Sequence, residues 1–175
     1  MNGDYDRVGY VHFSTRARTV QTLTSSLATL RTRITNTDDP TSWGGDDGRT
    51  NIAHGFYLGN KELIDNGRTN AHLVLVLLSD GVANTYCSGS NYTTTCSSVG
   101  NNVSTATSRT LEQADYARAN NITVYTISYG NDADDSLMQE VARRTGGIFY
   151  KAPDDAALQA AFIDIARQTH IKLSR

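Results

Sequence analysis

No stretch of this sequence stays apolar for the roughly 18 residues that a membrane-crossing helix needs. The chain opens "MNGDYDRVGY", with no apolar h-region, so no export signal is read there. Basic residues are scattered; the net charge is −2, and no basic run interleaves with aromatics. That excludes a nucleic-acid partner as an expectation. Apolar residues are scarce, at 38%, against a usual share of roughly 45–50%. Thr, Ser, Asn and Asp fill the deficit, a composition common in extracytoplasmic proteins. A secreted composition and a missing export signal conflict, and the conflict returns below.

Cysteine is nearly absent too. Cys87 and Cys96 share one polar segment, "TYCSGSNYTTTCSS". A disulfide would close a small loop, staple a polar excursion and place the segment in an oxidising compartment. Two free surface thiols, or a weak metal pair, are the alternatives. Catalytic signatures are also missing. There is no Gly-x-Ser-x-Gly elbow, no Walker-type Gly-Lys-Ser/Thr and no Gly-x-Gly-x-x-Gly after a strand. The acidic strings "DDG" and "NDADD" lack the spacing and terminal Glu of a calcium loop and read as solvated loop or caps. His12, His54, His72 and His170 show no ligand spacing, and His12 reads as a packed strand residue.

What is present is a regular alternation. With 175 residues, the chain suits a single domain over 1–175 with a sizeable core; no repeat or linker interrupts it. "RVGYVHFS" (Arg7–Ser14) and "ARTVQTLT" (Ala17–Thr24) read as two strands joined by a tight turn, the second with the polarity of an edge. Leu27, Leu30 and Ile34 predict a helix over 25–35. Asn36–Arg49 is loop by composition. Ile52, Phe56, Gly59 and Leu63 predict a helix over 51–65. "LVLVLL" (Leu73–Leu78) predicts a central parallel strand buried on both faces. Gly81–Val103 is a long polar excursion. Then follow a helix over 104–120 with Leu111, Ala114 and Ala117 inward, and a strand over 122–129 on which Tyr125, Ile127 and Tyr129 share a face. A helix over 135–145 with an Asp132, Asp134 or Ser136 cap is stopped by Gly146-Gly147. A short strand "IFYK" and a last helix from Pro153, with Leu158, Phe162 and Ile165 inward, close the chain. The order ββααβαβαβα predicts an α/β, Rossmann-like, doubly wound fold. Its sheet is mostly parallel with one antiparallel edge strand, and helices lie on both faces.

In such folds ligands bind beyond the carboxyl ends of the strands. Asp80 ends the apolar strand, and Thr50 stands where a loop enters a helix. A carboxylate and a hydroxyl on one rim are hard oxygen donors suited to Mg²⁺. Each also has a plainer reading: Thr50 as a helix N-cap, Asp80 as a turn former.

Taken in order, "RVGYVHFST", "GRTNIAHGF", "HLVLVLLSDGVAN", "ANNITVYTISYG" and "LMQEVARRTGGIFYKAPDDAALQAAFIDIA" resemble a von Willebrand factor A domain. The closing segment further resembles bacterial A domains of the TadG type, found in pilus-assembly and surface proteins. The resemblance implies a six-stranded sheet of order 3-2-1-4-5-6 carrying a metal-ion-dependent adhesion site. Thr50 and Asp80 match two of its three metal-gripping segments for Mg²⁺ (or Mn²⁺/Ca²⁺). Asn51, Gly81 and Asn84 form the partner-facing rim, and an acidic side chain of a protein partner completes the shell. The first segment, Asp-x-Ser-x-Ser, has no match: the sequence starts at the family's second strand. Three explanations follow. The sequence is a fragment whose upstream part holds that strand and an export signal; or another chain donates the strand; or the sheet closes up and the ion site is lost. The functional expectation is a non-enzymatic adhesion or pilus-assembly module at a bacterial cell envelope with an incomplete ion site. The alternatives are a metal-dependent hydrolase or phosphoryl-transfer domain, and a metal-free scaffold subunit.

Overall fold

The computed structural model describes residues 6–36, 48–88 and 95–173, with the side chains of 170–173 left aside. Most of the predicted 36–49 loop and the tip of the 81–103 excursion lie outside these residues.

The chain begins with the antiparallel pair β1 (Val8–Phe13) and β2 (Ala17–Thr24), with Phe13 opposite Ala17 across the turn. Helix α1 (Leu27–Thr35) packs on this hairpin, and its N-cap Ser26 accepts from the Thr29 N–H. Helix α2 (Ile52–Asn66) leads into β3 (Leu73–Ser79). The polar excursion contains a small hairpin that patterning does not reveal, β4 (Thr85–Cys87) paired with β5 (Val99–Asn101). Helix α3 (Val103–Ala119), β6 (Ile122–Tyr129), α4 (Asp135–Thr145), β7 (Phe149–Ala152) and α5 (Asp155–Leu173) complete the order. Asp134 is the residue that caps α4, its Oδ1 accepting from the Leu137 N–H. Gly146, at φ 72°, ends that helix in the left-handed region where Cβ is unwelcome.

Strands β3, β6 and β7 form a parallel sheet in that spatial order, with Leu73 opposite Ile122 and Tyr129 opposite Ala152. The strand buried on both sides is β6. Its Ile122 and Val124 join the larger core with Ile52, Phe56, Leu75, Leu77, Met138 and Val141. Its Tyr125 and Ile127 join Ala152, Ala161 and Ile165 under α5. The sequence assigned that central role to Leu73–Leu78. In the structure β3 is an edge of its sheet: Leu75 and Leu77 are buried, but Val76 and Leu78 are each 36% exposed. Similarly, Leu27, Ile34 and Phe162 are exposed although their spacing marks them as inward. Periodicity identifies a face that could be covered, not whether a neighbour covers it.

One helix holds the two sheets together. A Cβ on Gly55 of α2 would come 2.5 Å from Cδ1 of Phe13 in β1. A Cβ on Gly59, one turn on, would come 2.6 Å from a methyl of Leu75 in β3. Side-chain-free positions let both strands sit close to the helix axis. Polar bonds pin the hairpin to the same helix: Ala17 N–H to His54 Nδ1 (2.9 Å), Leu23 N–H to Glu62 (2.8 Å) and Arg7 to the Asn66 carbonyl (2.7 Å). The start of α2 thus meets the end of β1, and its end meets the residue before β1. Along β3, Gly59 meets Leu75 and, nearer the helix end, Gly67 meets Leu73. Both strands therefore run against α2 and in the same direction as each other. They nevertheless do not pair: among the described residues β1 bonds only β2, and β3 only β6. Among the described residues the closed-up sheet is not what forms, and five of the six strands implied by the resemblance stand as β2-β1 and β3-β6-β7.

Candidate functional site

Residue type and turn chemistry bring Thr50 and Asp80 to one rim. After β3, the Ser79 hydroxyl donates to the Gly81 carbonyl at 3.1 Å and accepts from the Gly81 N–H at 3.4 Å. Ser79, not Asp80, therefore shapes this turn, and the Asp80 side chain stands exposed beside it. A Cβ on Gly81 would lie 2.9 Å from Oγ1 of Thr50, so only glycine lets the two segments approach so closely. Thr50 is fixed by its backbone. Its N–H donates to Asn84 Oδ1 (2.9 Å), and its carbonyl accepts from the N–H groups of Asn84 (3.1 Å) and Thr85 (3.3 Å).

The plainer roles belong to neighbours. The N-cap of α2 is Asn51, whose Oδ1 accepts from the His54 N–H at 3.1 Å. Among the described residues, neither the Thr50 hydroxyl nor the Asp80 carboxylate has a hydrogen bond. The Thr50 hydroxyl thus lies against Gly81, the residue after Asp80, and neither oxygen group is spent on structure among the described residues. They fit the chemistry of Mg²⁺, but they supply only part of the roughly six oxygens it takes.

The rim differs from the sequence expectation at Asn51, which is buried rather than presented to a partner. Its amide donates to the Thr15 carbonyl at 3.0 Å and reaches Cys87 Sγ at 3.7 Å, while its N–H donates to the Ser14 carbonyl at 2.7 Å. It joins the β1–β2 turn, the start of α2 and the small hairpin. Asn84 is half-buried, and its Oδ1 serves Thr50 and the Thr85 hydroxyl. Asp80, Gly81 and the exposed Val82 make the accessible part of the edge.

Cys87 and Cys96 are bonded, and no free cysteine remains among the described residues. The disulfide closes the hairpin, and Arg16 Nε donates to the Cys96 carbonyl at 2.8 Å. His54 lies against it, with ligand atoms of His54, Cys87 and Cys96 within 4.8 Å of one another. Spacing along the chain gives no hint of this trio. It does not make a metal site in this state. The sulfurs are spent on each other, and His54 Nδ1 already accepts from Ala17, which puts the neutral ring's proton on Nε2. The acidic string after β6 is structural as well: Asp134 caps α4, and Asp135 pairs with Lys151 at 2.9 Å. That pairing holds the Asp135 carboxyl below its usual range.

No curated protein shows significant similarity to the chain. Solved structures do. The vWF domain of the type V pili tip protein Mfa5 from Porphyromonas gingivalis superposes with a TM-score of 0.69 at 16% identity, over 97% of this chain and 81% of that one. BatB from Bacteroides thetaiotaomicron, a conserved hypothetical protein, gives 0.69 at 15% identity, over 94% and 80%. The PilB minor pilin from Streptococcus sanguinis gives 0.73 at 20% identity, over 95% of this chain but 50% of its own length. At these identities the likeness speaks for the fold alone. The family model of the von Willebrand factor type A domain matches residues 2–164. With that match spanning nearly the whole chain, and strands ending on a common rim where Thr50 meets the Asp80–Gly81 turn, this chain belongs to the von Willebrand factor type A domain family.

Proposed function

We propose that this domain is a non-enzymatic protein–protein interaction module of the adhesive or pilus-assembly kind, acting at a bacterial cell envelope. Its contact surface is the rim around Asp80, and its ion site is incomplete. Thr50 and Asp80 are the residues of this chain that would hold Mg²⁺, or Mn²⁺ or Ca²⁺ in its place. The ion supplies a positive point that attracts an acidic side chain of a protein partner. The observation that carries this reading is the close approach of Gly81 to the Thr50 hydroxyl, with that hydroxyl and the Asp80 carboxylate left unspent among the described residues. The surface location draws support from the disulfide, which belongs to oxidising compartments, and from the pilus proteins among the structural relatives. The TadG-type likeness of the closing segment points the same way.

A hydrolase or phosphoryl-transfer reading needs a second carboxylate or a histidine beside Asp80. Among the described residues, no cluster of three His, Cys, Asp or Glu side chains includes it.

Titration with Mn²⁺, followed by paramagnetic broadening of amide NMR signals, tests the ion site. Weak binding, near 10⁻³ M in order of magnitude, is expected to broaden the Thr50 and Gly81 amides and to vanish in Asp80→Ala. No broadening at these amides would favour a metal-free scaffold. Tight one-to-one binding abolished by Asp80→Ala would overturn the account of an incomplete shell.

A further inference from the structure

We propose that the Asp80–Gly81 step is a self-modification site, at which the folded domain converts Asp80 to isoaspartate without an enzyme. The reaction runs through a succinimide. The Gly81 nitrogen bonds to Cγ of the Asp80 carboxyl group, and one carboxyl oxygen leaves as water, taking the nitrogen's proton and the carboxyl proton with it. Water then reopens the ring. Attack at the side-chain carbonyl restores aspartate. Attack at the main-chain carbonyl breaks the original peptide bond and leaves the chain running through Cγ. The water lost in closing the ring is regained in opening it, and nothing is oxidised or reduced, so the reaction needs no co-reactant.

The sequence places glycine after Asn or Asp at Asn2-Gly3, Asp47-Gly48, Asn66-Gly67 and Asp80-Gly81. Asn2, Gly3 and Asp47 lie outside the described residues. The other two pairs differ in what holds them. Ring closure needs a side chain that can turn, a peptide nitrogen not committed to a good acceptor, and a following residue without a Cβ in the way. At Asn66 the first two conditions fail. The Gly67 N–H donates to the Leu63 carbonyl at 2.9 Å, the Asn66 amide donates to Glu62 at 3.1 Å, and the Asn66 carbonyl accepts from Arg7 at 2.7 Å. At Asp80 all three are met. The residue is exposed, and its carboxylate has no hydrogen bond among the described residues. The Gly81 N–H reaches Ser79 Oγ at 3.4 Å, beyond the usual range of about 2.7–3.2 Å. Folding thus locks the asparagine step and leaves the aspartate step open. In an unfolded chain the order is the reverse, because an amide closes this ring more readily than a carboxylate.

The consequence for the rim rests on the proposed reading of Thr50 and Asp80 as its ion-holding residues; the modification itself does not. Isoaspartate brings the former Cβ into the main chain ahead of Gly81 and leaves a carboxylate one carbon shorter. Gly81 packs so closely on Thr50 that a Cβ would lie 2.9 Å from its Oγ1. A main chain lengthened just before Gly81 cannot keep that approach, so the two segments of the rim part.

The test uses the 175-residue chain, aged warm at neutral pH with EDTA, once folded and once in urea. Isoaspartate is located by peptide mapping with electron-transfer fragmentation. It is quantified with isoaspartyl methyltransferase and labelled S-adenosylmethionine. Folding is expected to slow the Asn66 step about tenfold or more and the Asp80 step less than about threefold. The Asp80 peptide therefore leads in the folded chain and the Asn66 peptide in urea. Asp80→Glu, which would have to close a larger ring, is expected to lose the label from its peptide. A folded chain that modifies Asn66 ahead of Asp80, or that protects both steps tenfold, overturns the proposal, and so does label retained in Asp80→Glu. Mn²⁺ added to fresh and aged chain separates this result from the ion reading. Broadening at Thr50 and Gly81 that fades in step with isoaspartate supports the consequence for the rim. Broadening absent even from fresh chain removes the ion reading alone, and the peptide map still decides the modification.

Discussion

The ring of Phe13 rests on the bare backbone of Gly55: a Cβ there would stand 2.5 Å from Cδ1, 2.7 Å from Cγ and 3.0 Å from Cβ of the phenylalanine. The ring has no free end to swing aside, since it is met along its whole near edge. Gly55→Ala is expected to destabilise the domain by about 1–3 kcal/mol despite alanine's better helix propensity. Gly59→Ala meets only a terminal methyl of Leu75 at 2.6 Å, which can rotate, so helix propensity and repacking should nearly cancel, within about 1 kcal/mol. Urea unfolding of both variants checks the contrast. Equal losses would mean that the hairpin does not lean on Gly55.

Thr50 and Asn51, adjacent in sequence, are expected to respond oppositely. Asn51→Ala removes the cap of α2 and the donor to the Thr15 carbonyl, and should cost about 2–3 kcal/mol. Thr50→Ala removes a hydroxyl without a hydrogen bond among the described residues, and should stay within about 0.5 kcal/mol. Thermal melts at matched pH read both. A large loss in Thr50→Ala would return that hydroxyl to a structural role.

The Cys87–Cys96 bridge closes a loop with a sequence separation of 9. Loop-closure entropy assigns such a crosslink about 2–3 kcal/mol. Replacing both cysteines by serine should lower stability by that order. Because the bridge lies against Asn51, the variant should also raise exchange at the first turn of α2. Stability unchanged in the variant would mean that the hairpin's backbone bonds suffice.

Glu140 accepts from Arg143 at 2.7 Å and from Arg144 at 2.8 Å. These bonds, Arg143 first, lower its carboxyl from an ordinary 4.5 to about 2. A folded-state value below the unfolded one stabilises the fold above pH 4.5, and that contribution is lost as pH falls toward about 2. The three side chains lie at the surface within reach of solvent, so the effect is small and weakens with salt. The stability of Glu140→Gln is expected to depend less on pH across that window than the parent's, with the two profiles converging at its acid end. Parallel profiles would show that the arginines do not act on this carboxylate.

Much of this molecule can be read from residue pattern. Ile122–Tyr129 and Asp135–Thr145 have the bounds the sequence predicts, because a β-branched and aromatic run and an Asp cap with a glycine stop are local signals. Thr85–Cys87 and Val99–Asn101 were not legible: three-residue strands in a polar segment carry no periodicity, and they hold together through a disulfide and a partner far along the chain. The apolar run Leu73–Leu78 announces a strand covered on both sides, and the structure leaves Val76 and Leu78 uncovered. The approach of Thr50 to Gly81 was inferable from strand ends sharing a rim, but the buried place of Asn51 depends on three segments meeting and has no one-dimensional trace.

Thr50 gives its N–H and its carbonyl to the base of the disulfide-closed hairpin, through Asn84 and Thr85. Its main chain is therefore immobilised as soon as the domain folds. Whatever lands on this edge finds a platform already set, so the entropy of arranging it is not subtracted from the strength of the encounter.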